Sequence, residues 1–153
     1  MALFLDTFVN KIDRKGRVSV PAPFRASLAG QSFQGIVAVP SFKYAAIQCA
    51  GMDWMESIGA SVRSMDLYSD EQDDLTATLF PDAKQLPFDS EGRVMLPAAL
   101  AQHAGITEAA AFVGRGPSFD IWEPDAFERY KAEARRRSLE KGRTLSLRPH
   151  GQP

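Results

Sequence analysis

The chain has 153 residues, of which 44% are hydrophobic and 24% charged, with a net charge of −1. This is the composition of a globular protein with one ordinary core, or two small cores sharing a surface. No apolar run approaches the roughly 20 residues that span a bilayer, the start Met1-Ala2-Leu3-Phe4-Leu5-Asp6 has no basic leader region, and the single cysteine, Cys49, excludes an intrachain disulfide and suits a reducing cytoplasm.

In chain order, Leu3 to Val9 reads as a strand entering the stretch from Lys11 to Pro21. There Ile12, Val18 and Val20 would share one face, while Lys11, Arg17 and Ser19 point elsewhere. Asp13 can accept a bond from a backbone N–H two residues on, and Gly16 supplies the positive φ of a tight turn. The unit is therefore a hairpin, ended by Pro21, which cannot donate to a ladder. A short helix follows over Ala22 to Leu28. Ser32 to Val39 and Tyr44 to Cys49 read as paired strands around Pro40-Ser41-Phe42. Asp53 can cap a helix carrying Trp54, Met55, Ile58, Val62 and Met65 at helical spacing. Ser69 begins another, with acids in its first turn and Leu75, Leu79 and Phe80 as its apolar edge. Pro81 to Pro87 is expected to be a joint.

Beyond the joint the pattern returns. One shift in numbering carries Asp13 onto Asp89, Gly16 onto Gly92, Arg17 onto Arg93 and Pro21 onto Pro97, without a gap. Both copies read Asp-x-x-Gly-Arg-Val-x-apolar-Pro-Ala, so the chain is an internal duplication. Ala98 to Ala104 is again a short helix, Ala109 to Val113 and Phe119 to Trp122 are again strands, and Pro124 sits well at the start of a helix with Phe127, Tyr130 and Ala134 on one side. The tail after Arg143 is expected to be disordered. The expected organisation is repeat one over 7–52, a helical connector over 53–82, repeat two over 83–126, and a C-terminal helix and tail over 127–153. The fold class is α+β, mainly β with short helices.

The small net charge hides segregation. From Lys11 to Arg25, five cations stand against Asp13 alone; from Asp53 to Glu91, ten acids stand against Arg63 and Lys84; from Arg129 to Arg148, eight cations stand against Glu133 and Glu140. Such segregation permits a local anionic partner. Catalysis has little to rest on. His103, His150 and Cys49 make no metal-ligand spacing, no glycine-rich phosphate loop or Gly-x-Ser-x-Gly elbow occurs, and no cofactor or metal is expected. Asp beside a turn glycine, as at Asp13 and Asp89, is ordinarily structural.

Nucleic-acid binding has better support. The first turn carries Lys11, Arg14, Lys15 and Arg17 at or beside the tip of a β-ribbon, a shape that fits the major groove. The second carries Arg93 beside Ser90 and Glu91. Ion pairs of Arg17 with Asp13 and of Arg93 with Asp89 are the structural alternative. The two roles are compatible, because a carboxylate can hold a guanidinium in the orientation DNA needs.

The doubled turn, Asp13-Arg14-Lys15-Gly16-Arg17 and Asp89-Ser90-Glu91-Gly92-Arg93, resembles the signature of the MraZ family of bacterial transcriptional regulators, which carry two SpoVT-AbrB-type domains. Val9-Asn10, Val18-Ser19-Val20-Pro21 and Phe119-Asp120-Ile121-Trp122 before a helix agree with it. The resemblance runs to about Arg137. It implies a pseudo-symmetric swapped-hairpin barrel with peripheral helices and a ring-like homo-oligomer. It also implies binding to short direct repeats in double-stranded promoter DNA of the division and cell-wall gene cluster, its own gene included, in the cytoplasm at the nucleoid. On this chain it implies Arg17, with Lys15 and Arg14, as DNA contacts. Glu91 departs from the pattern where the first copy has Lys15, which weakens the second turn as a contact. An antitoxin-like module that binds DNA and a protein, and a purely structural oligomer, are the competing readings.

Overall fold

The computed structural model describes residues 2–145. The expectation about the tail lies, from residue 146 on, outside the described residues. The element order is β1 (Thr7–Lys11), β2 (Arg17–Ser19), α1 (Ala22–Leu28), β3 (Gly35–Pro40), β4 (Ile47–Ala50), α2 (Met52–Arg63), α3 (Asp70–Asp82), β5 (Lys84–Pro87), β6 (Arg93–Met95), α4 (Ala98–Ala104), β7 (Ala109–Gly114), β8 (Phe119–Trp122) and α5 (Pro124–Glu140). Six strands form one antiparallel sheet in the order β1-β7-β8-β4-β3-β5, and β2 and β6 form a separate two-stranded ribbon. The α+β expectation holds: a β core with helices around it.

The strand pairing departs from the expected hairpin. β1 and β2 form no ladder: between them stand the single bridge Ile12–Val18 and a bond from the Asn10 side chain to the Ser19 carbonyl at 2.7 Å. Instead β1 pairs along its length with β7, from Thr7 opposite Val113 to Lys11 opposite Ala109. The mirror-image choice is made in the other half, where β5 pairs with β3, from Gly35 opposite Pro87 to Ala38 opposite Lys84. The first strand of each half therefore completes the sheet of the other. The halves meet again in two central pairings, β4 with β8 and β2 with β6. In the ribbon Val18 faces Val94, which the repeat shift also superposes, so a pseudo-twofold axis runs through that pair.

Burial explains the arrangement. Val18, Val20, Val94 and Leu96 of the ribbon and its exits are buried in one cluster with Phe4, Phe24, Ile36, Ile47, Phe112, Phe119 and Ile121. Phe4, Phe24 and Phe119 form a tight trio with ring centroids 4.9–5.3 Å apart. A three-residue ribbon buries too little to stand alone, so its apolar face must be shared by both halves. On the opposite side of the sheet, α5 lays Phe127 and Tyr130 against Trp122, whose ring stacks on Tyr130 at 5.0 Å. Trp122 is thus a core residue, and Trp54 is half-buried.

Three local expectations are corrected. Regular β1 starts at Thr7, not Leu3, because Asp6 takes a positive φ of 76° and only a Phe4–Gly116 bridge precedes it. Asp53 lies inside the first turn of α2, and Gly51 holds the cap position. The capping side chain is remote: Gln31 accepts from the Asp53 N–H at 3.0 Å and donates to its carboxylate at 3.0 Å. The stretch 81–87 is not a joint, since Pro81 ends inside α3 and Lys84–Pro87 are β5. Ser69 caps α3 as its sequence predicts, accepting from the Gln72 N–H at 3.2 Å.

Candidate nucleic-acid interface

The two turns are built alike. In the first, one Asp13 carboxylate oxygen accepts from the N–H groups of Lys15 at 3.0 Å and Arg17 at 2.8 Å, and the other accepts from Arg17 Nε at 2.6 Å. In the second, Asp89 accepts from Glu91 N–H at 2.9 Å, Arg93 N–H at 3.0 Å and Arg93 Nε at 2.9 Å. Gly16 and Gly92 close the turns at φ 87° and 76°. Bonds from the Arg17 N–H, and then from the Arg17 side chain and Lys15 N–H, hold the Asp13 carboxyl below its ordinary value. The Arg93 and Glu91 N–H groups do the same for Asp89, and Asp89 in return raises Arg93. Each carboxylate therefore stays charged and aims the guanidinium it holds.

Each turn is also lashed to the other half. The Val20 N–H donates to the Gly92 carbonyl at 3.1 Å, and the Leu96 N–H donates to the Gly16 carbonyl at 2.9 Å. Ribbon register then fixes what faces outward. Arg17 pairs with Met95 and Ser19 with Arg93, while the intervening Val18–Val94 pair points into the core. Since successive strand residues alternate sides, Arg17, Ser19, Arg93 and Met95 occupy a single outward face. Arg17 and Arg93 lie diagonally across it, separated along the strand by two residues, or roughly 7 Å.

The turns differ in charge. Arg14 and Lys15 are exposed at the first tip, and Lys11 is exposed at the end of β1. Arg17 has Asp13 as its acid; Arg93 has both Asp89 and Glu91, the latter at 3.1 Å. Of the five cations assigned from the sequence, Arg17 and Arg93 thus share the outward face of the ribbon, and Arg14, Lys15 and Lys11 are exposed at or beside the first tip, which is in cationic surplus. One residue escaped assignment. Arg25, four positions beyond Pro21, projects from α1 onto the second turn: a Cβ on Gly92 would lie 2.7 Å from its Nε and 2.8 Å from its Cζ. Its Nε donates to the Val20 carbonyl at 3.1 Å. Arg25 belongs to the first basic block in sequence, but nothing in its spacing places it against the opposite turn.

The chain is similar in sequence to proteins of known family. The family model described as "MraZ protein, putative antitoxin-like" matches residues 79–148. A protein of Rickettsia canadensis (strain McKiel) bearing the name transcriptional regulator MraZ is 46% identical over 145 residues, covering 95% of this chain and 97% of the relative. The protein of the same name from Rickettsia bellii (strain OSU 85-389) is 47% identical over 146 residues, with 95% and 97% covered, and that from Rickettsia felis is 44% identical over 145 residues with the same coverage. The class these matches define is transcriptional regulation, which is not an enzyme class. Identity at this level over nearly the whole length leaves one assignment: the chain belongs to the MraZ family.

Proposed function

We propose that the chain is a sequence-specific DNA-binding regulator that grips double-stranded promoter repeats through the first turn of each subunit. The observation that carries this reading is the rigid, outward Arg17, held by Asp13 beside the exposed Arg14 and Lys15. A guanidinium whose Nε is already bonded keeps its terminal nitrogens for a base edge or a phosphate, and its orientation costs no further ordering. Lys11 flanks the same contact, and Arg93 stands on the second turn. Asp13, Gly16, Asp89 and Gly92 act through the shape of the turns.

In this reading the six-stranded sheet and the ribbon are parts of one swapped-hairpin barrel with the Ile12–Val18 bridge on its seam, organised as repeats over 7–52 and 83–126, a helical connector between them and a helix and tail after 126. A single turn making a few phosphate contacts binds weakly and is strongly salt-sensitive. A ring-like homo-oligomer presenting several turns to several direct repeats gains through effective concentration. The targets are the repeats upstream of the division and cell-wall gene cluster, including its own gene, reached in the cytoplasm at the nucleoid.

Arg17→Ala tests the reading. It is expected to abolish the gel shift on DNA from upstream of the protein's own gene while the elution volume in sizing chromatography stays unchanged. Unaltered binding refutes the assignment. Loss of the assembly itself supports instead a structural oligomer whose turns pack subunits together.

A further inference from the structure

We propose that Arg25 is the phosphate-contacting cation of the second turn, so that both turns face DNA although the second repeat's own tip carries an acid. This rests on the proposed DNA-binding reading and extends it to a residue outside the turn motif.

By sequence the second turn is a poor anion contact. Glu91 stands where the first copy has Lys15, and Arg93 is occupied by Asp89 at 2.9 Å and Glu91 at 3.1 Å. The fold supplies what the turn lacks. Because β2 pairs with β6 of the other half, α1 starts where β2 leaves the ribbon, beside the Gly92 carbonyl that the Val20 N–H binds at 3.1 Å. Arg25 then lies against Gly92, where an added Cβ would sit 2.7–2.8 Å from its Nε, Cδ and Cζ. Its Nε is fixed on the Val20 carbonyl at 3.1 Å. Among the described residues no carboxylate lies within ion-pair distance of it. This is the geometry of Arg17 on Asp13 reproduced with a neutral anchor: Nε tied down, terminal nitrogens available, charge uncompensated.

The pseudo-twofold axis makes the inference specific. The repeat shift carries Arg25 onto Ala101, a half-buried residue packed against the core. No guanidinium therefore lies over the first turn from α4, and the first turn has its own Arg14 and Lys15 instead. Cations of the first half thus serve both ends of the ribbon, joined at the second by Arg93. A phosphate contact from Arg25 would be bidentate-capable and desolvated on the Gly92 side, where Arg is favoured over Lys.

The test measures the affinity of the full-length protein for a duplex taken from upstream of its own gene, by fluorescence anisotropy across a KCl series. The variants are Arg25→Ala, Arg25→Gln and Arg25→Lys, with Arg17→Ala alongside. Removing one phosphate-neutralising cation makes the slope of log affinity against log salt shallower by about 0.9. Arg25→Ala and Arg25→Gln are expected to weaken binding several-fold with that shallower slope, at unchanged elution volume, and Arg25→Lys to restore the slope. Gln keeps a donor for the Val20 carbonyl, so a weakening shared by Ala and Gln is one of charge. Wild-type affinity and slope in Arg25→Gln, with binding abolished in Arg17→Ala, overturn the role of Arg25 alone. Wild-type binding in Arg17→Ala overturns the reading on which it rests.

Discussion

Replacing Gly16 and Gly92 by alanine, one at a time, separates what the turns need from what Arg25 adds. Both glycines have positive φ, 87° and 76°, and an alanine there costs about 1–2 kcal/mol in backbone strain. At position 16 the new Cβ meets the Leu96 carbonyl oxygen and Met95 Sδ at 3.6 Å, which is ordinary van der Waals distance. At position 92 it would sit 2.7–2.8 Å from three atoms of Arg25. Arg25 must swing away and give up its bond to the Val20 carbonyl, a further cost of about 1 kcal/mol. Gly16→Ala should therefore destabilise by about 1–2 kcal/mol and Gly92→Ala by about 2–3 kcal/mol. For a chain of this length each kcal/mol lowers Tm by about 2–4 °C. Calorimetry of both variants at one protein concentration reads the gap; the concentration is held because assembly shifts Tm. In an Arg25→Ala background the gap should close, as a double-mutant cycle requires of two residues that touch. Equal losses from the two alanines, or a gap that survives removal of Arg25, would refute the reasoning.

The turn carboxylates predict an acid transition. Asp13 and Asp89 are held below the ordinary 3.8 in the folded chain, so they stabilise the turns above that pH, and the contribution disappears as pH falls through their lowered values. Amide resonances of Lys15, Arg17, Glu91 and Arg93 should move together with a midpoint below pH 3.8; a midpoint at or above that value contradicts the hydrogen-bond account. Phe119 is fully buried against Phe4, Phe24 and Phe112. Phe119→Ala should cost about 3–5 kcal/mol, read by calorimetry, and a cost under about 1 kcal/mol would mean the aromatic trio is not the centre of the core.

Local chemistry was legible where a residue acts on its neighbours. The Asp and Gly of each turn, the Ser69 cap, the Pro124 start of α5 and the inward faces of Val18, Val20, Phe127 and Tyr130 all follow from spacing. Partner choice was not legible. The sequence marks a strand from Leu3 to Val9 but not that β7 completes the pairing in place of β2. Gln31 caps α2 from 22 residues before Asp53, beyond the reach of any local capping pattern. Lys84–Pro87 looked like a joint because two prolines bracket a short polar run, yet edge strands tolerate proline and β3 offers it a ladder. Of the candidate site, the position of the motif cations at the turns follows from the repeat; that of Arg25 does not, because its neighbour is set by the pairing of β2 with β6 that accompanies the strand exchange.

That exchange has a consequence for how the two turns vary. If the same scaffold were assembled from two identical single-repeat chains, any side chain at one tip would be obliged to appear at the other, and an acid at the second would mean an acid at the first. Joined end to end, each tip answers only for itself. Glu91 opposite Lys15, and Ala101 opposite Arg25, are departures that covalent linkage permits and that a symmetric pair would forbid. The polypeptide bond between the halves thus gives this molecule a front and a back.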